Sequence, residues 1–355
     1  MTKLNLTMRN ETINGTYNDT FDQVISDVDE NDMYILPTML IFGTLGNICT
    51  LIIFRREKQK RLSVSVYICS FCVGNLLNLF FQYGIYYIYV VSHHGITEMQ
   101  NLSNWGCSLY MFIKHIIQYC SLWFVVGMTI DRYIALCHPA SATTMCTVFM
   151  AKIAICITLI GLVVISVHAM WIFKLNVNGV CAYSDDAKHM VEEMLVHLHI
   201  WQYQSSVAFV YLPLLILLIL NILLICGLCF KHRSSSVSAQ DNVSTEYTNT
   251  VVVISVTYFT LLVPVTTANI IYGASGVTVE LDYSIIFDYL QRLNLIITFF
   301  ICVIFSRSFR EEIGNICRQL RERRKHTLEM NRLSNKALLT NDATTSTNNE
   351  EDTLI

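Results

Sequence analysis

Seven long apolar blocks set the limits on what this chain can fold into: Met33–Phe54, Ser63–Val91, Cys107–Ile130, Phe149–Phe173, Ser205–Phe230, Thr248–Tyr272 and Ile285–Phe305. Each reaches the roughly 20 residues that a helix needs to cross the hydrocarbon core of a bilayer. Lipid offers backbone amides no partner, so blocks of this length close their hydrogen bonds internally as α-helices. The expected fold is an all-α membrane protein, a bundle of seven transmembrane helices. Of the 355 residues only 14% are charged, against about 25% in a soluble domain. The net charge of -3 gives no reason to expect a nucleic-acid partner.

Orientation follows from the placement of Lys and Arg. Lys3, Arg9, Lys174 and Lys188 fall on one side of the membrane and Lys114 and Arg292 within spans. The rest fall on the other side, most densely in "RREKQKRL". The amino terminus is therefore expected outside, the carboxyl terminus inside, and the chain at the plasma membrane. Residues 1–32 have no apolar core, so no cleaved signal is expected and the first span is expected to start export. That tail carries glycosylation sequons at Asn5, Asn10, Asn14 and Asn18, and the first outer loop another at Asn101. Of 13 cysteines, only Cys107 and Cys181 fall on the oxidising side, where one pair has one connectivity. The others read as apolar fillers or reduced thiols.

"GMTIDRYIALCHP" (Gly127–Pro139) sets an acid–base pair at the lip of the third apolar block. With Gly46-Asn47, Cys107, Pro213, Pro264 and "SRSFR" (Ser306–Arg310), the chain resembles a rhodopsin-like (class A) G-protein-coupled receptor over nearly its whole length. The resemblance implies a seven-helix bundle with a short amphipathic eighth helix and no enzymatic activity. It also implies a coupling switch at Asp131, Arg132 and Tyr133, with Arg132 held by Asp131 at rest and engaging a heterotrimeric G protein when the helices open. A charged pair at the membrane edge is re-paired easily when a neighbouring helix moves. Pro213 and Pro264 each remove a helix hydrogen bond and favour a kink.

The chain departs from the family pattern at several internal positions. Asn75 stands for the acidic residue of the second helix, with Ser121, Asn294 and Thr298 as polar partners. Without a carboxylate this pocket lacks the ligand that hard cations want. Leu262 replaces the tryptophan of the sixth helix, with Tyr258 one turn below, and Leu159 lies nearest the fourth-helix tryptophan. Thr298, Phe299 and Cys302 take the Asn-Pro-x-x-Tyr positions, and Asn221 the tyrosine of the fifth helix.

For the ligand, the family's amine-binding aspartate is Lys114 here, which disfavours a biogenic amine. Arg292 stands where opsins carry their Schiff-base lysine and stays protonated. Intramembrane charges suggest function by default. Lys114 and Gln118, four apart, share one helical face, as do Asp288 and Arg292. Three readings stay open: a cationic cradle for a ligand carboxylate or phosphate, an internal lock in which Asp288 neutralises the cations, and snorkelling toward outer water. Gln82, Tyr86, Asn269 and Gln291 complete the expected ligand-binding set. The acidic fourth-to-fifth segment, "NVNGVCAYSDDAKHMVEEM", suits a peptide with a basic part and a terminal carboxylate. The nearest class is an invertebrate neuropeptide receptor.

The organisation expected is a glycosylated tail (1–32), a receptor domain (33–305), an amphipathic helix with a basic segment (306–325) and a disordered tail (326–355). Phe309, Ile313 and Ile316 fall at helical spacing for a helix lying on the lipid interface. Cys317 is a palmitoylation candidate, and Arg318–Lys325 favours the anionic leaflet of the bilayer. Thr340, Thr344, Thr345, Ser346 and Thr347 are candidate phosphosites for arrestin. Asp352, Thr353, Leu354 and Ile355 resemble a PDZ ligand. No cofactor or metal is expected, since no His or Cys cluster has metal spacing. The rival within the fold is a chemosensory receptor for a small acidic molecule. Outside it stands a transporter or channel, against which the sequence shows no internal repeat.

Overall fold

Ser103 caps the helix around which the bundle is arranged. Its Oγ accepts from the Gly106 N–H at 2.9 Å, satisfying one donor that a helix start leaves open. Helix α4 (Asn104–Cys137) then runs for 34 residues. The structure is a computed structural model and describes residues 33–56, 61–92, 101–176, 179–184, 210–233, 239–275 and 281–351. Before α4 stand α1 (Met33–Phe54) and a second span made of α2 (Ser63–Asn78), a π-helical turn (Leu79–Gly84) and α3 (Ile85–Val91). After it come α5 (Pro139–Met145), α6 (Val148–Ser166), the single turn α7 (Ala169–Ile172), β1 (Phe173–Leu175) and β2 (Cys181–Tyr183). The bundle closes with α8 (Leu212–Arg233), α9 (Ala239–Ser275) and α10 (Leu281–Phe305). Helix α4 packs against α2, α6, α8 and α9, and α9 against α8 and α10.

Among the described residues six helices are long and apolar enough to cross a membrane. The seventh, α10, has 25 residues and so spans about 37 Å. The bundle is apolar outside and polar within. Phe149, Ile157, Ile160 and Val164 of α6 are between 63% and 68% exposed, whereas Asn47, Asn75, Ser121, Thr129 and Thr298 are buried. That inversion suits a hydrocarbon solvent, in which interhelical hydrogen bonds and close packing hold helices together.

Asn47 shows both forces. Its Nδ2 donates to Gly43 O and to Leu295 O, each at 2.8 Å, the second tying α1 to α10. Asn75 Nδ2 donates to Asn47 Oδ1 at 3.3 Å, and Ser121 Oγ donates to Asn75 Oδ1 at 2.9 Å. The network thus joins α1, α2, α4 and α10 without a charge. The neighbouring Gly46 permits the approach: a Cβ there would lie 2.9 Å from Phe299 Cβ.

At the opposite end from Arg132, β1 and β2 pair antiparallel with Phe173 facing Tyr183 and Leu175 facing Cys181. Gly179 (φ 74) sits in the turn, a left-handed conformation that glycine adopts without strain. The Cys107–Cys181 disulfide, with Cα atoms 5.4 Å apart, fastens this hairpin to α4.

Pro264 lies inside α9, and Pro213 follows the π-helical residues Val210 and Tyr211 in the helical run that continues as α8. Residues 1–32 and 352–355, with the four tail sequons and the PDZ-like end, lie outside the described residues, as does Ser205. After Ser306 the chain forms a separate unit, the 45-residue helix α11 (Arg307–Glu351). Helix therefore continues past Lys325, where the sequence predicts disorder. The run "LEMNRLSNKALL" is rich in Leu, Met, Lys, Arg and Ala, good helix formers whatever their periodicity.

Gly46→Ala tests the α1–α10 contact. Overpacking against a Cβ that cannot rotate away costs about 1–3 kcal/mol, so the variant's thermal midpoint in detergent should fall by several degrees. An unchanged midpoint would show that the two helices do not pack this closely.

Candidate functional site

Helix α4 carries one half of the site near each end. At its Arg132 end, Asp131 and Arg132 are 5% and 6% exposed. Arg132 Nε donates to Asp131 Oδ2 at 3.0 Å, and Nη2 contacts the same oxygen. Ser63, in the first turn of α2, joins both partners. Its Oγ donates to Asp131 Oδ2 at 3.0 Å and accepts from Arg132 Nη2 at 3.3 Å. Burying two charges is costly unless they are paired and further hydrogen-bonded, and Ser63 supplies that third contact. A Cβ on Gly127 would come within 2.8 Å of Tyr67 Cε1, so glycine lets α2 and α4 meet just above the pair. Tyr133 stacks edge-on with His138 at 5.5 Å.

Two further ties cross helices near this end. Ser255 Oγ of α9 donates to Asn221 Oδ1 of α8 at 2.6 Å, and Ser306 Oγ donates to Glu246 Oε1 of α9 at 2.9 Å. Neither is legible as a motif: Asn221 stands out in the sequence only as a missing tyrosine. In the segment between α5 and α6, Cys146 Sγ donates to the Asp131 carbonyl at 3.3 Å. Burial pushes this thiol up to about 11, and the Asp131 carboxylate adds in the same direction.

Toward the disulfide end, α4, α9, α10 and the second span enclose a cavity of about 150 Å³. Gln118, Tyr119 and Leu122 line it from α4, Tyr258, Leu262 and Thr266 from α9, and Gln291, Asn294 and Leu295 from α10. Asn78 and Tyr83 of the second span complete the wall, with Tyr211 just ahead of α8. The Tyr211 hydroxyl donates to Thr266 O at 2.8 Å.

The structure divides the expected ligand set. Gln118 and Gln291 line the cavity. Arg292 does not: its guanidinium lies 5.1 Å from the Tyr83 ring centroid and 5.0 Å from that of Tyr289. It borders a small void with Leu36, Met39 and Leu40 of α1. Adjacent helix residues point about 100° apart, so Gln291 and Arg292 serve different faces. To the three readings open for Arg292, these contacts add a fourth element, a cation–π sandwich between Tyr83 and Tyr289. Lys114, half-buried, lies one turn from Gln118 toward the disulfide and outside the lining.

Gln82 and Tyr86 are half-buried. Gln82 Nε2 donates to the Tyr83 hydroxyl at 3.4 Å, while Tyr86 packs with Leu36, Leu79, Tyr83 and Leu295. The π-helical turn explains why Tyr83, absent from the expected set, faces inward instead: its wider turn shifts the residues that a 3.6-residue period would select. The side chains of Asn269 and Asp288 lie outside those described. Asn101, expected to be glycosylated, accepts at Oδ1 from the Cys181 N–H at 2.7 Å. With Ser103 as helix cap, two side chains of that sequon serve the fold.

A family model described as "7 transmembrane receptor (rhodopsin family)" matches residues 46–309. The chain belongs to the rhodopsin family of seven-transmembrane receptors. This receptor is thus of a non-enzymatic class. It is similar to the thyrotropin-releasing hormone receptor of Gallus gallus, 31% identical over 42% of this chain and 37% of that protein. It also resembles the neuromedin U receptor homolog nmur-2 of Caenorhabditis elegans, 23% identical over 34% of the chain and 31% of the relative. The galanin-like G-protein coupled receptor npr-9 of Caenorhabditis elegans is 28% identical over 34% of the chain and 28% of its own length. The chain spans about a third of the length of the relatives it matches.

Cys146 reports on the Asp131 cluster from outside the membrane spans. In a receptor keeping only Cys146, Cys107 and Cys181, its maleimide labelling should be slow at neutral pH. The rate should climb about tenfold per pH unit between pH 7 and pH 9, because only the thiolate reacts. A rate that levels off near pH 8.5, as for an ordinary thiol, would show that Cys146 is not buried against the Asp131 cluster.

Proposed function

We propose that this receptor sits in the plasma membrane with its amino terminus outside, binds an extracellular peptide, and promotes nucleotide exchange on a heterotrimeric G protein. The observation that carries the reading is the buried Asp131–Arg132–Ser63 cluster. Arg132 is held by its own neighbour and by one neutral hydroxyl, so α4 itself need not unfold or rotate to free it. Among the contacts that hold α9 beside it are two hydrogen bonds, Asn221–Ser255 and Glu246–Ser306. Each is worth about 1 kcal/mol net, somewhat more where a charge takes part. A ligand shifts such an equilibrium by its differential affinity for the two states, and a few kcal/mol is within reach of one bound terminal group. The names of the relatives, receptors for thyrotropin-releasing hormone and neuromedin U and a galanin-like receptor, support a peptide. In the same reading the tail hydroxyls recruit arrestin, Cys317 takes an acyl chain, and Asp352–Ile355 meets a PDZ domain.

A peptide library screened on cells expressing the chain with a promiscuous G protein tests the proposal. Any agonist found should drive GTP-analogue binding in membranes, and Arg132→Ala should abolish it. Ligand-evoked current with no G protein present would replace the receptor reading with a channel. Ser255→Ala and Asn221→Leu should each raise ligand-free exchange several-fold by releasing α9. Basal exchange at the native level in both would remove that contact from the mechanism.

A further inference from the structure

Thr327 continues a line that begins in the apolar part of α11. Ile313, Leu320 and Thr327 stand seven residues apart, and in a helix such a line drifts by only about 20° per step. Ile316 lies one turn before Leu320 on the same side. The stripe expected to rest on the lipid interface therefore runs out in a hydroxyl. Every residue from Cys317 to Leu333 is exposed, so packing against the described residues does not select a threonine here. Its Oγ1 donates to the Arg323 carbonyl at 3.0 Å, a bond open to any serine or threonine in a helix.

The same two turns carry dense positive charge. Over Arg318–Thr327 there are five cations, Arg318, Arg321, Arg323, Arg324 and Lys325, against one acid, Glu322. Arg323 and Arg324 precede Thr327 by four and three residues, the spacings that bring helix side chains together. A phosphate on Oγ1 would carry a charge of about −1.5 to −2 and three strong acceptor oxygens. It would have both guanidiniums within reach and would stand on the stripe that meets the anionic leaflet. Arg324 and Lys325, three and two residues before the hydroxyl, form the kind of charge pattern by which a kinase with an acidic groove selects substrates. A helical segment that buries no side chain opens locally at little cost, which lets such a groove take the chain in extended form.

We propose that Thr327 is a phosphorylation site and that its phosphate releases α11 beyond Leu320 from the anionic leaflet. In the modifying step the bond from the γ-phosphorus to the bridging oxygen of a nucleoside triphosphate breaks, and a bond from that phosphorus to Thr327 Oγ1 forms. The nucleoside diphosphate leaves and the hydroxyl proton passes to the base of the kinase. About two of the five positive charges are then cancelled, so binding of the segment to anionic lipid should weaken on the order of tenfold to thirtyfold. The site is distinct from Thr340, Thr344, Thr345, Ser346 and Thr347, which lie among Asp342, Glu350 and Glu351. It requires the carboxyl terminus to face the cytosol, and it is independent of the ligand and of the G protein.

Full-length receptor in nanodiscs of phosphatidylcholine, alone or mixed with phosphatidylserine, tests this with ATP and the catalytic subunit of protein kinase A, an arginine-directed enzyme. Peptide mapping should find phosphate on Thr327, and Arg324→Gln should cut its incorporation about tenfold, as expected for the loss of a charge-assisted contact. Amide hydrogen exchange over residues 318–333 should be slower with phosphatidylserine than without it. Phosphorylation should raise that slow rate about tenfold or more, to the rate on neutral lipid. Kinase treatment of Thr327→Val, or of Thr327→Ala, should leave it slow. No phosphate on Thr327, or incorporation indifferent to Arg324→Gln, would overturn the modification site. Exchange that is equal on the two lipids, or unchanged once Thr327 is phosphorylated, would overturn the release from the leaflet.

Discussion

Asn47 donates to two backbone carbonyls, one in its own helix and one in α10, and its remaining oxygen takes the amide of Asn75. In water such a side chain would exchange protein partners for solvent at little cost. In a hydrocarbon surround it has none to fall back on, so the helices that satisfy it are held in one arrangement. The packing follows from that anchor. Gly46 brings α1 against Phe299, Ser121 extends the network to α4, and the apolar flanks of α6 are left for lipid. With Asn75 occupied on both sides of its amide, the centre is neutral and self-contained, where a carboxylate would have needed a cation.

The same anchor lies close to both halves of the site. Leu295, whose carbonyl receives Asn47, lines the cavity beside Asn294. Thr298, buried one turn further along α10, continues toward Ser306 and its bond to Glu246. Helix α10 is thus bonded to α1 at one level and, through the residue that follows it, to α9 at another.

The spans, the disulfide and the Asp-Arg-Tyr cluster were legible because each depends on composition or on residues close in sequence. Length and hydropathy specify a membrane helix, and compartment specifies which cysteines pair. Lys114 and Arg292 were legible as unusual charges, but their directions were not. Arg292 lies between two tyrosines; Tyr289 is one helical turn away in its own sequence, but Tyr83 is on another helix and nothing near Arg292 announces it. The hairpin of β1 and β2 had a local signal, "NVNG" between two short apolar runs, easily lost beside the acidic residues that follow. Asn294 was noted only as a leftover of a cation pocket. Its role as cavity lining emerges once the helices are placed side by side.

The π-helical turn at Leu79–Gly84 has a bearing on how this receptor is compared with others. A π turn accommodates one more residue than the α-helical turn it replaces, without breaking the span. An α-helical second span aligned to this one without a gap runs one residue out of phase beyond the turn. At about 100° per residue, that error carries a lining position to the neighbouring face. Roles transferred by column number into "IYYIYVV" would then describe the wrong tyrosines.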